Sequence, residues 1–377
     1  MKIGIVLNSF LIKGSGVGNY TVSLIKALIR KKKRGTDFYL IHNLDVKKMM
    51  RQKTTISAKI PLFLRSGLLD LSTPLLLNKD FLDVVHFPIL ENAPMSFALT
   101  ANQIVGTIHG LSEFVLPHPY AVKYNMMHLK KMCLRLLVKR VTALIALSNA
   151  EKENITRYLK VPGWKIYVAY HGIDHERFKP LKNLPEIRRY LKDKYEIPNS
   201  YILHVSSGHP KKNIPTILQA LYELKKKGLF YKLVIAGPSS SNLERLTNFV
   251  KNLNLENLVT LLGHISDEDL RKLYSCAELF IFPSLLESFG FPPLEAAACG
   301  VPVIASNVYS MPEILGRSAI LVNPLDKKAL VNAIHDVLTD PSLKRKMAKN
   351  GLRVAKEFTW ERCATEHLRI YKKVYHA

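Results

Sequence analysis

Cysteine is scarce in this 377-residue sequence, and long apolar runs are missing. The four cysteines lie far apart, without the spacing of a metal site or a disulfide framework, at Cys133, Cys276, Cys299 and Cys363. No run of about 18 apolar residues occurs, so no transmembrane helix is predicted. The opening strand-like segment, Met1 to Leu7, is too short for a signal peptide. These absences together predict a cytoplasmic, reduced protein.

Acidic side chains are also in short supply. The chain has 30 Asp and Glu against 55 Lys and Arg, which gives a net charge of +25. Residues 1–180 hold 27 basic and 11 acidic side chains, a net of +16. A basic field of this kind attracts polyanions, either nucleic acid or anionic lipid. A lysine-rich proteome would also produce this excess, and the sequence leaves both explanations open.

Strand-length apolar runs alternate with longer amphipathic segments throughout, which is the pattern of parallel α/β units. The predicted strands are Lys2–Leu7, Phe38–His42, Asp83–His86, Gln103–His109, Ala143–Leu147, Ile166–Tyr170, Tyr201–Ser206, Lys232–Ala236, Val259–Leu262, Leu279–Phe282, Pro302–Ala305 and Ala319–Val322. The length suits two domains. Residues 178–200 are rich in Lys and Pro and lack a clean apolar stripe, so we place the hinge at their start. The sequence therefore predicts two doubly wound sheets, in residues 1–178 and 179–357, and a final helix within residues 358–377.

Residues 283–315 are the most informative segment. A Gly/Pro loop follows a predicted strand and leads into a short predicted helix, Pro292–Cys299. Glu287 and Glu295 stand eight residues apart, and Gly290 between them lets a ligand approach the backbone closely. Amides and the dipole at the helix N-terminus favour an anion such as a phosphate. This combination suits a sugar nucleotide, and the alternative is a strand-to-helix turn with solvated glutamates.

Other candidate residues also follow predicted strands at their carboxyl ends, where ligands bind in open α/β sheets. They are Gly14–Gly18, His86, His109, Ser148, Ser206–Lys212, Gly237 and Ser306. Two such crevices facing each other would make an interdomain cleft for a donor and an acceptor. The glycine loop is similar to a dinucleotide-binding loop, but Asn19 stands where the third glycine belongs. By position alone, His109 is more typical of a structural histidine than of a ligand-binding one.

In sequence order, these motifs resemble the signature of glycosyltransferase family 4, the retaining enzymes of GT-B fold. The resemblance spans nearly the whole chain and is centred on Glu287-x7-Glu295, with Gly300-Val-Pro-Val-Ile-Ala after it. The other matching motifs are Ser15-Gly-Val-Gly-Asn-Tyr, Thr107-Ile-His-Gly, Ala146-Leu-Ser-Asn-Ala-Glu, Tyr170-His-Gly-Ile-Asp, Pro210-Lys-Lys-Asn, Ala236-Gly-Pro and Thr359-Trp-Glu-Arg. Within the family, the sequence looks most like bacterial and archaeal polysaccharide mannosyltransferases.

The resemblance implies two Rossmann-like domains, an acceptor-side domain and then a donor domain, with the last helix crossing back to the first. It implies transfer of a hexose from a GDP- or UDP-sugar to a glycan or lipid-linked acceptor, without a cofactor or a protein nucleophile. Glu295 would hold the ribose hydroxyls and Glu287 the donor sugar. His109 would contact that sugar, and Lys212 would neutralise the departing diphosphate. The further donor-binding residues are Gly16, Gly18, Ser207, Gly237, Ser288, Phe289, Gly290, Phe291 and Leu294.

Two positions depart from the family pattern. Gly110 follows His109 where the family often has Asp, so a carboxylate that could orient the imidazole is missing. Ser206 and Ser207 stand where many relatives have an Arg nearby, which leaves Lys212 as the main cation of this loop.

The sequence Asp267-Glu-Asp269 matches the metal–nucleotide motif of the other large glycosyltransferase fold. We predict a helix start there instead, with Ser266 as the N-cap and Asp269 at the third helical position. No His/Asp/Glu cluster elsewhere has ligand spacing, and metal-independent chemistry is therefore expected.

Residues 120–141 form a predicted basic amphipathic helix, which suits the headgroup region of an anionic membrane. An ordinary packing helix with a solvated basic face explains the pattern equally well. A second expected partner is thus an anionic surface at the inner face of the cell membrane.

The rival functions are a GT-B sugar-nucleotide epimerase and a basic nucleic-acid-binding protein. Nucleic acid is disfavoured as a partner because no recognition motif accompanies the charge.

Overall fold

The computed structural model describes residues 1–7, 16–31, 35–42, 55–57, 82–92, 103–116 and 124–377. The chain divides into two compact units, residues 1–172 with 360–377 and residues 173–359. The division after Gly172 lies six residues before the hinge placed at residue 178. The C-terminal segment from Trp360 belongs to the same unit as the N-terminal residues.

The first unit contains, among its described residues, a parallel sheet of seven strands in the order β3-β2-β1-β4-β5-β6-β7. The strands are β1 Lys2–Leu7, β2 Asp37–His42, β3 Thr55–Ser57, β4 Val84–Phe87, β5 Ile104–Ile108, β6 Ala143–Ala146 and β7 Ile166–Val168. Strands β4, β5 and β6 are buried along their whole length, as parallel strands under two helical layers must be. The order reverses between β1 and β4, which confirms a doubly wound sheet.

In the described part of this unit the helices, numbered along the chain, are α1 Gly16–Arg30, α2 Ser112–Val115, α3 Tyr124–Arg140, α4 Asn149–Leu159 and α13 Trp360–Tyr375. Short 3-10 turns occur at Leu90–Asn92 and Gly163–Lys165. Helix α13 buries Ile370 and Tyr371 in the same cluster as Leu24 and Leu28 of α1. Each fully buried aliphatic side chain contributes about 1.5–3 kcal/mol. The last helix is therefore part of the first unit's core.

The second unit contains a parallel sheet of six strands in the order β10-β9-β8-β11-β12-β13. The strands are β8 Ile202–Val205, β9 Leu233–Ala236, β10 Val259–Leu262, β11 Leu279–Phe282, β12 Val303–Ser306 and β13 Ala319–Val322. The helices are α5 Leu184–Tyr195, α6 Ile214–Lys226, α7 Ser240–Asn252, α8 Asp267–Cys276, α9 Phe291–Ala298, α10 Met311–Leu315, α11 Lys327–Thr339 and α12 Pro341–Ala355. Helices α6 and α11 bury Leu218 and Ile334 in one cluster with Ile281 and Ile304 of the sheet. This order also reverses once, between β8 and β11.

The twelve predicted strands are all present, four with the predicted ends and the others with ends that differ by one or two residues. Two expectations were wrong. Strand β3 was not predicted, because its three residues are too few to show a periodicity. Helix α5 lies in residues 178–200, for which no helix was predicted because the segment lacks a clean apolar stripe, and it buries Leu191 while Lys194 and Tyr195 bind Asp269 of α8. No helix in the described segments has the length and apolar content needed to cross a bilayer.

Candidate active site

In the second unit, the loops after β8 and β11 carry Lys212 and Glu287, on either side of the point where the strand order reverses. Lys212 Nζ lies 2.5 Å from Glu287 Oε1. Ser284 Oγ donates to the same carboxylate oxygen at 2.8 Å. The lysine and glutamate side chains expose only 15% and 11% of their surface. Two residues predicted to act on the donor are therefore in direct contact, at the place where ligands bind in such sheets.

Burial opposes the charge on both members of this pair. It lowers the pKa of Lys212, which the field of Glu287 holds up. Burial would raise the pKa of Glu287, but the nearby Lys212 and Lys211 outweigh it and keep this pKa below its ordinary value. Each charge therefore depends on the other, and removal of either side chain leaves a buried charge without its partner.

Asn213 fixes the position of the Lys212 loop. Its backbone is left-handed, with φ +57°, and ends the 3-10 turn Pro210–Lys212. Its side-chain amide donates to the carbonyl oxygens of Pro283 at 3.1 Å and Pro324 at 2.7 Å. One side chain thus joins the segments that follow β8, β11 and β13. Asparagine suits both tasks, because it tolerates the left-handed region and carries two amide hydrogens.

Glu295 lies in the second turn of α9 and is half-buried. Its Oε2 accepts a hydrogen bond from the hydroxyl of Tyr274 at 3.0 Å. Tyr274 is fully buried, with ring contacts to Phe178 and Phe280 at 5.9 and 5.6 Å. Burial raises the pKa of Glu295 to about 7, although Tyr274 and Arg177 act in the opposite direction. The carboxyl group can therefore change its charge near neutral pH.

The loop from Glu287 to Gly290 is tied down through its carbonyl groups. Ser310 Oγ donates to the carbonyl oxygen of Glu287 at 2.8 Å and to that of Phe289 at 3.2 Å. Gly290 precedes α9 with φ +95°, and a Cβ at this position would collide with Met311 Cε. The backbone conformation therefore favours glycine, and any other residue would also push the end of the Met311 side chain aside.

The start of α9 carries fewer amide donors than expected. The helix begins at Phe291, so Pro292 and Pro293, which lack an amide hydrogen, occupy its second and third positions. The expectation of an amide-rich N-terminus holds for Phe291 and Leu294 alone among the first four residues. The side chains of Phe289 and Leu294 are buried, at 3% and 0% exposure, so contact with a ligand falls to their backbone.

Two further predicted residues lie after β8 and β9. Ser207 is exposed, and its carbonyl oxygen accepts from Asn242 Nδ2 at 2.9 Å. Gly237 has φ +94°, and a Cβ there would lie 3.0 Å from the carbonyl oxygen of Ser206. Its amide donates to the carbonyl oxygens of Leu262 and Gly263. That amide is therefore engaged within the protein.

In the first unit, His109 directly follows β5 and is held on several sides. Its Nε2 lies 2.8 Å from the carbonyl oxygen of Pro88. The ring of Tyr20 in α1 meets it edge-on with centroids 4.8 Å apart, and His171 lies at 5.6 Å. Burial lowers the pKa of His109 to about 4. The imidazole is therefore neutral near pH 7. Because a carbonyl can only accept, the proton is on Nε2, and Nδ1 offers a lone pair.

A buried hydrogen-bonded chain lies beside His109. Tyr371 OH is 2.7 Å from His86 Nδ1, and His86 Nε2 is 2.9 Å from Thr107 Oγ1. Tyr20 OH lies 3.3 Å from that hydroxyl and 3.1 Å from His367 Nε2. His86 is thus a structural residue inside β4.

Of the predicted glycine loop, Gly16 begins α1 and Gly18 lies in its first turn, whereas Gly14 and Ser15 lie outside the described residues.

Sequence models of two families match consecutive parts of the chain. Glycosyltransferase Family 4 matches residues 14–177, and Glycosyl transferases group 1 matches residues 189–354. The O-antigen chain mannosyltransferase B of Escherichia coli is 32% identical over 273 residues, which are 71% of this chain and 70% of that protein. The chain belongs to glycosyltransferase family 4.

Two more similarities fit this family. The O-antigen chain mannosyltransferase RfbU of Salmonella typhimurium is 31% identical over 63% of this chain and 62% of its own length. The solved structure of sucrose-phosphate synthase from Thermosynechococcus elongatus matches with a TM-score of 0.80 at 21% identity, over 100% of this chain and 99% of that one. The two doubly wound sheets are therefore those of a GT-B glycosyltransferase.

Against the family 4 pattern, the missing carboxylate after His109 has a counterpart elsewhere. Glu91, in the 3-10 turn after β4, accepts the amides of His109 at 2.5 Å and Gly110 at 3.2 Å through Oε1. A carboxylate thus holds the backbone of the histidine, although it comes from another loop. The Arg that many relatives have near Ser206 is also missing. Apart from Lys212, the cation in the same loop that could take its place is Lys211.

The Asp-x-Asp sequence of this family 4 chain has a structural use. Ser266 Oγ accepts the amide of Asp269 at 3.2 Å, which confirms the predicted N-cap of α8. Asp269 is buried and accepts from Lys194, Tyr195 and Lys272, at 2.8, 2.7 and 3.1 Å. Asp267 pairs with Arg177 at 2.6 Å. No group of three or more His, Cys, Asp and Glu suited to a metal occurs in the described part of the chain.

Sequence reasoning missed four residues that hold the others in place: Tyr274, Ser310, Tyr20 and Asn213. Each acts over a long sequence distance, as the 111 residues between Asn213 and Pro324 illustrate. The available signals were weak. Tyr20 and Asn213 stood inside quoted motifs and Ser310 inside the informative segment 283–315, whereas Tyr274 looked like an ordinary helix residue.

Proposed function

We propose that this family 4 enzyme transfers mannose from a nucleoside-diphosphate sugar to a glycan or lipid-linked acceptor of a cell-surface polysaccharide or glycolipid, with retention of configuration. The observation that carries the proposal is the buried Lys212–Glu287 pair at the reversal point of the second sheet. The choice of mannose and of a surface polysaccharide is supported by the names of the two bacterial relatives, which act on O-antigen chains.

In this proposal Lys212 stabilises the negative charge that develops on the diphosphate as it leaves. A positioned cation in a site shielded from water is worth several kcal/mol in the transition state. Glu287 keeps Lys212 charged in the free enzyme and accepts a hydroxyl of the donor sugar. Glu295 accepts the ribose hydroxyls, and amides of Ser288 to Phe291 contact the sugar and the diphosphate. Attack from the face that the diphosphate leaves gives retention without a protein nucleophile.

His109 acts as a neutral hydrogen-bond acceptor toward the sugar. Its Nε2 proton is committed to Pro88, which leaves the lone pair of Nδ1 for a sugar hydroxyl. A cationic imidazole beside the reacting carbon would oppose the positive charge that develops there. The depressed pKa of His109 removes this conflict near neutral pH.

A screen of nucleotide sugars tests the proposal. GDP-mannose should raise the melting temperature and be hydrolysed slowly without acceptor, more than UDP-glucose or UDP-N-acetylglucosamine. NMR of the transferred sugar should show the anomeric configuration of the donor. Conversion of the sugar to its epimer without transfer would instead identify an epimerase, and an inverted product would exclude the retaining mechanism.

We also infer that the enzyme docks on anionic membrane at the inner face of the cell through helix α3. This helix packs Leu134, Leu137 and Val138 into the first unit's core, and it exposes Arg135, Lys139 and Arg140 on its surface. The packing of α3 in the core and its basic exposed face are thus compatible with both interpretations of its amphipathic pattern, an ordinary packing helix and a membrane-binding helix. Each basic side chain near such a surface contributes about 1 kcal/mol.

Charge reversal of Arg135, Lys139 and Arg140 to Glu tests the docking. Co-sedimentation with vesicles that contain phosphatidylglycerol should fall, while donor hydrolysis in solution should not change. Equal sedimentation of the wild-type protein with neutral and anionic vesicles would contradict electrostatic docking. Lys130 was part of the predicted basic face, but its side chain lies outside the described residues.

A further inference from the structure

Trp164 is one of two tryptophans in the chain and is 76% exposed. It lies in the 3-10 turn Gly163–Lys165 between α4 and β7, in the first unit. An indole that stays in water does not gain the stabilisation that burial of a large apolar side chain provides. Trp164 makes no contribution to the described core of the unit. Packing of the core therefore does not explain why a tryptophan occupies this position.

The turn that carries Trp164 is fastened to the C-terminal end of α3. Lys165 Nζ donates to the carbonyl oxygens of Val138 at 3.1 Å and Lys139 at 3.3 Å. These carbonyls lie in the last turn of the helix, where a cation is favoured by the helix dipole. The backbone at Trp164 is therefore held close to the C-terminal end of α3, the helix that exposes Lys139 and Arg140.

The surface around this junction is both basic and apolar. Residues 131–170 contain eight Lys and Arg against two Asp and Glu, and one of those two, Glu151, is buried. Helix α3 also exposes two apolar side chains, Met132 at 54% and Leu136 at 45%. A basic surface with exposed apolar side chains and an indole matches the chemistry of an anionic bilayer interface.

We propose that Trp164 is an interfacial anchor, which inserts among the headgroups of an anionic bilayer while the basic side chains of α3 approach the phosphates. This inference rests on the docking proposed above and adds its apolar contact. Charge brings the enzyme to the surface from a distance, whereas the indole contributes once it leaves water. The turn is short and hydrogen-bonded to α3, so its backbone is already ordered before binding. Insertion of Trp164 therefore costs little conformational entropy.

Tryptophan fluorescence reports on this contact directly. In a Trp360→Phe variant, Trp164 is the sole indole, and its folding is checked by circular dichroism. Vesicles that contain phosphatidylglycerol should shift its emission to shorter wavelength and protect it from iodide. Vesicles of phosphatidylcholine alone should not. Emission that stays unchanged while the protein sediments with anionic vesicles would overturn the anchor and leave the electrostatic docking intact.

Trp164→Ala should lower the partition coefficient onto anionic vesicles about tenfold, as expected for loss of a partly buried aromatic side chain. The matched control is Phe230→Ala, which removes an aromatic residue of 65% exposure from the loop after the lysine-rich end of α6, in the second unit. This control should leave partition unchanged. An equal loss in both variants, or a larger emission change with RNA than with anionic vesicles, would contradict the proposal. Nucleotide-sugar binding by Trp164→Ala in solution is measured in parallel, so failure of the proposed transfer reaction is recognised separately.

Discussion

Glu295, which we propose holds the ribose hydroxyls, has an environment that makes its charge depend on pH. Its carboxyl group is half-buried, has a pKa near 7, and accepts one hydrogen bond from Tyr274. A carboxylate that receives ribose hydroxyls must be ionised, because a protonated acid has lost one acceptor and most of its charge. With a pKa near 7, the proposed ribose contact predicts that the free enzyme binds a nucleotide well when Glu295 is ionised and poorly when it is protonated.

We expect the affinity for a nucleoside diphosphate to fall as the pH is lowered from about 8 to about 6, toward tenfold per pH unit below the pKa. Calorimetric titration at several pH values measures this slope. Glu295→Gln should bind weakly and without the slope. A wild-type affinity that is constant over this range would contradict the role of Glu295.

Tyr274 positions Glu295 and lowers its pKa through the hydrogen bond, so Tyr274→Phe should move the midpoint of the same titration to higher pH. Tyr201→Phe is a matched control, because Tyr201 is also buried and donates to the carbonyl oxygen of Leu273 at 2.8 Å. That variant should lose stability without moving the midpoint. An identical shift in both variants would mean that a general loosening of α8 is responsible.

Lys212 is predicted to be the cation on the leaving group. Lys212→Ala should reduce the rate of transfer by roughly 10²–10³-fold while the protein remains folded. Lys344→Ala is the control, since Lys344 also pairs with a glutamate in the same unit, but that residue, Glu278, lies at the amino end of β11 and not at the carboxyl ends of the strands. The control should retain its rate. Near wild-type turnover by folded Lys212→Ala at subsaturating donor would remove Lys212 from the mechanism.

Helix α8 shows how one local motif can serve a structural purpose. Ser266 starts the helix, and Asp269 then binds Lys194 and Tyr195 of α5, across 74 or more residues of sequence. These hydrogen bonds hold the pKa of Asp269 well below its ordinary value against the effect of burial. The two carboxylates of the Asp-x-Asp sequence are therefore occupied by cations of the protein itself.

Asp269→Asn should destabilise the second unit by about 1–3 kcal/mol, because it leaves buried donors without a charged acceptor. Asp267→Asn, which removes a carboxylate that is 76% exposed, should cost less than about 1 kcal/mol. Urea unfolding measures both. Equal effects would contradict the clamp between α5 and α8.

Transfer should also survive EDTA, because the carboxylates of the Asp-x-Asp sequence are engaged as described. Initial rates are compared before and after chelation, with magnesium or manganese added back. Complete loss that either metal restores would overturn the metal-free mechanism.

At the scale of the whole molecule, the described residues include several buried neutral histidines, four of which lie in the first unit. Burial lowers the pKa of His86, His109, His171 and His367, to about 4 for His109 and His367. In the unfolded chain these groups titrate near 6.5. Below that pH the unfolded state binds protons that the folded state excludes, so stability must fall.

We therefore expect full stability above about pH 6.5 and a progressive loss between about pH 6.5 and 4. Hydrogen exchange by mass spectrometry should show earlier exposure of β4, β5 and α13 than of β8 and β11, whose unit has His204 as a buried neutral histidine. A melting temperature that stays constant between these pH values would contradict the prediction.

The sequence by itself determined the two doubly wound sheets, the twelve predicted strands, the N-cap at Ser266 and the segment around Glu287 and Glu295. These features depend on local periodicity and on chemistry within a few residues, which a single sequence displays directly. The tertiary structure decided which distant residues meet. Lys212 contacts Glu287 across 75 residues, Glu295 contacts Tyr274 across 21, and Glu91 accepts the backbone amide of His109 across 18. Such contacts depend on strand order and loop conformation, and neither is encoded by the spacing of the residues that meet.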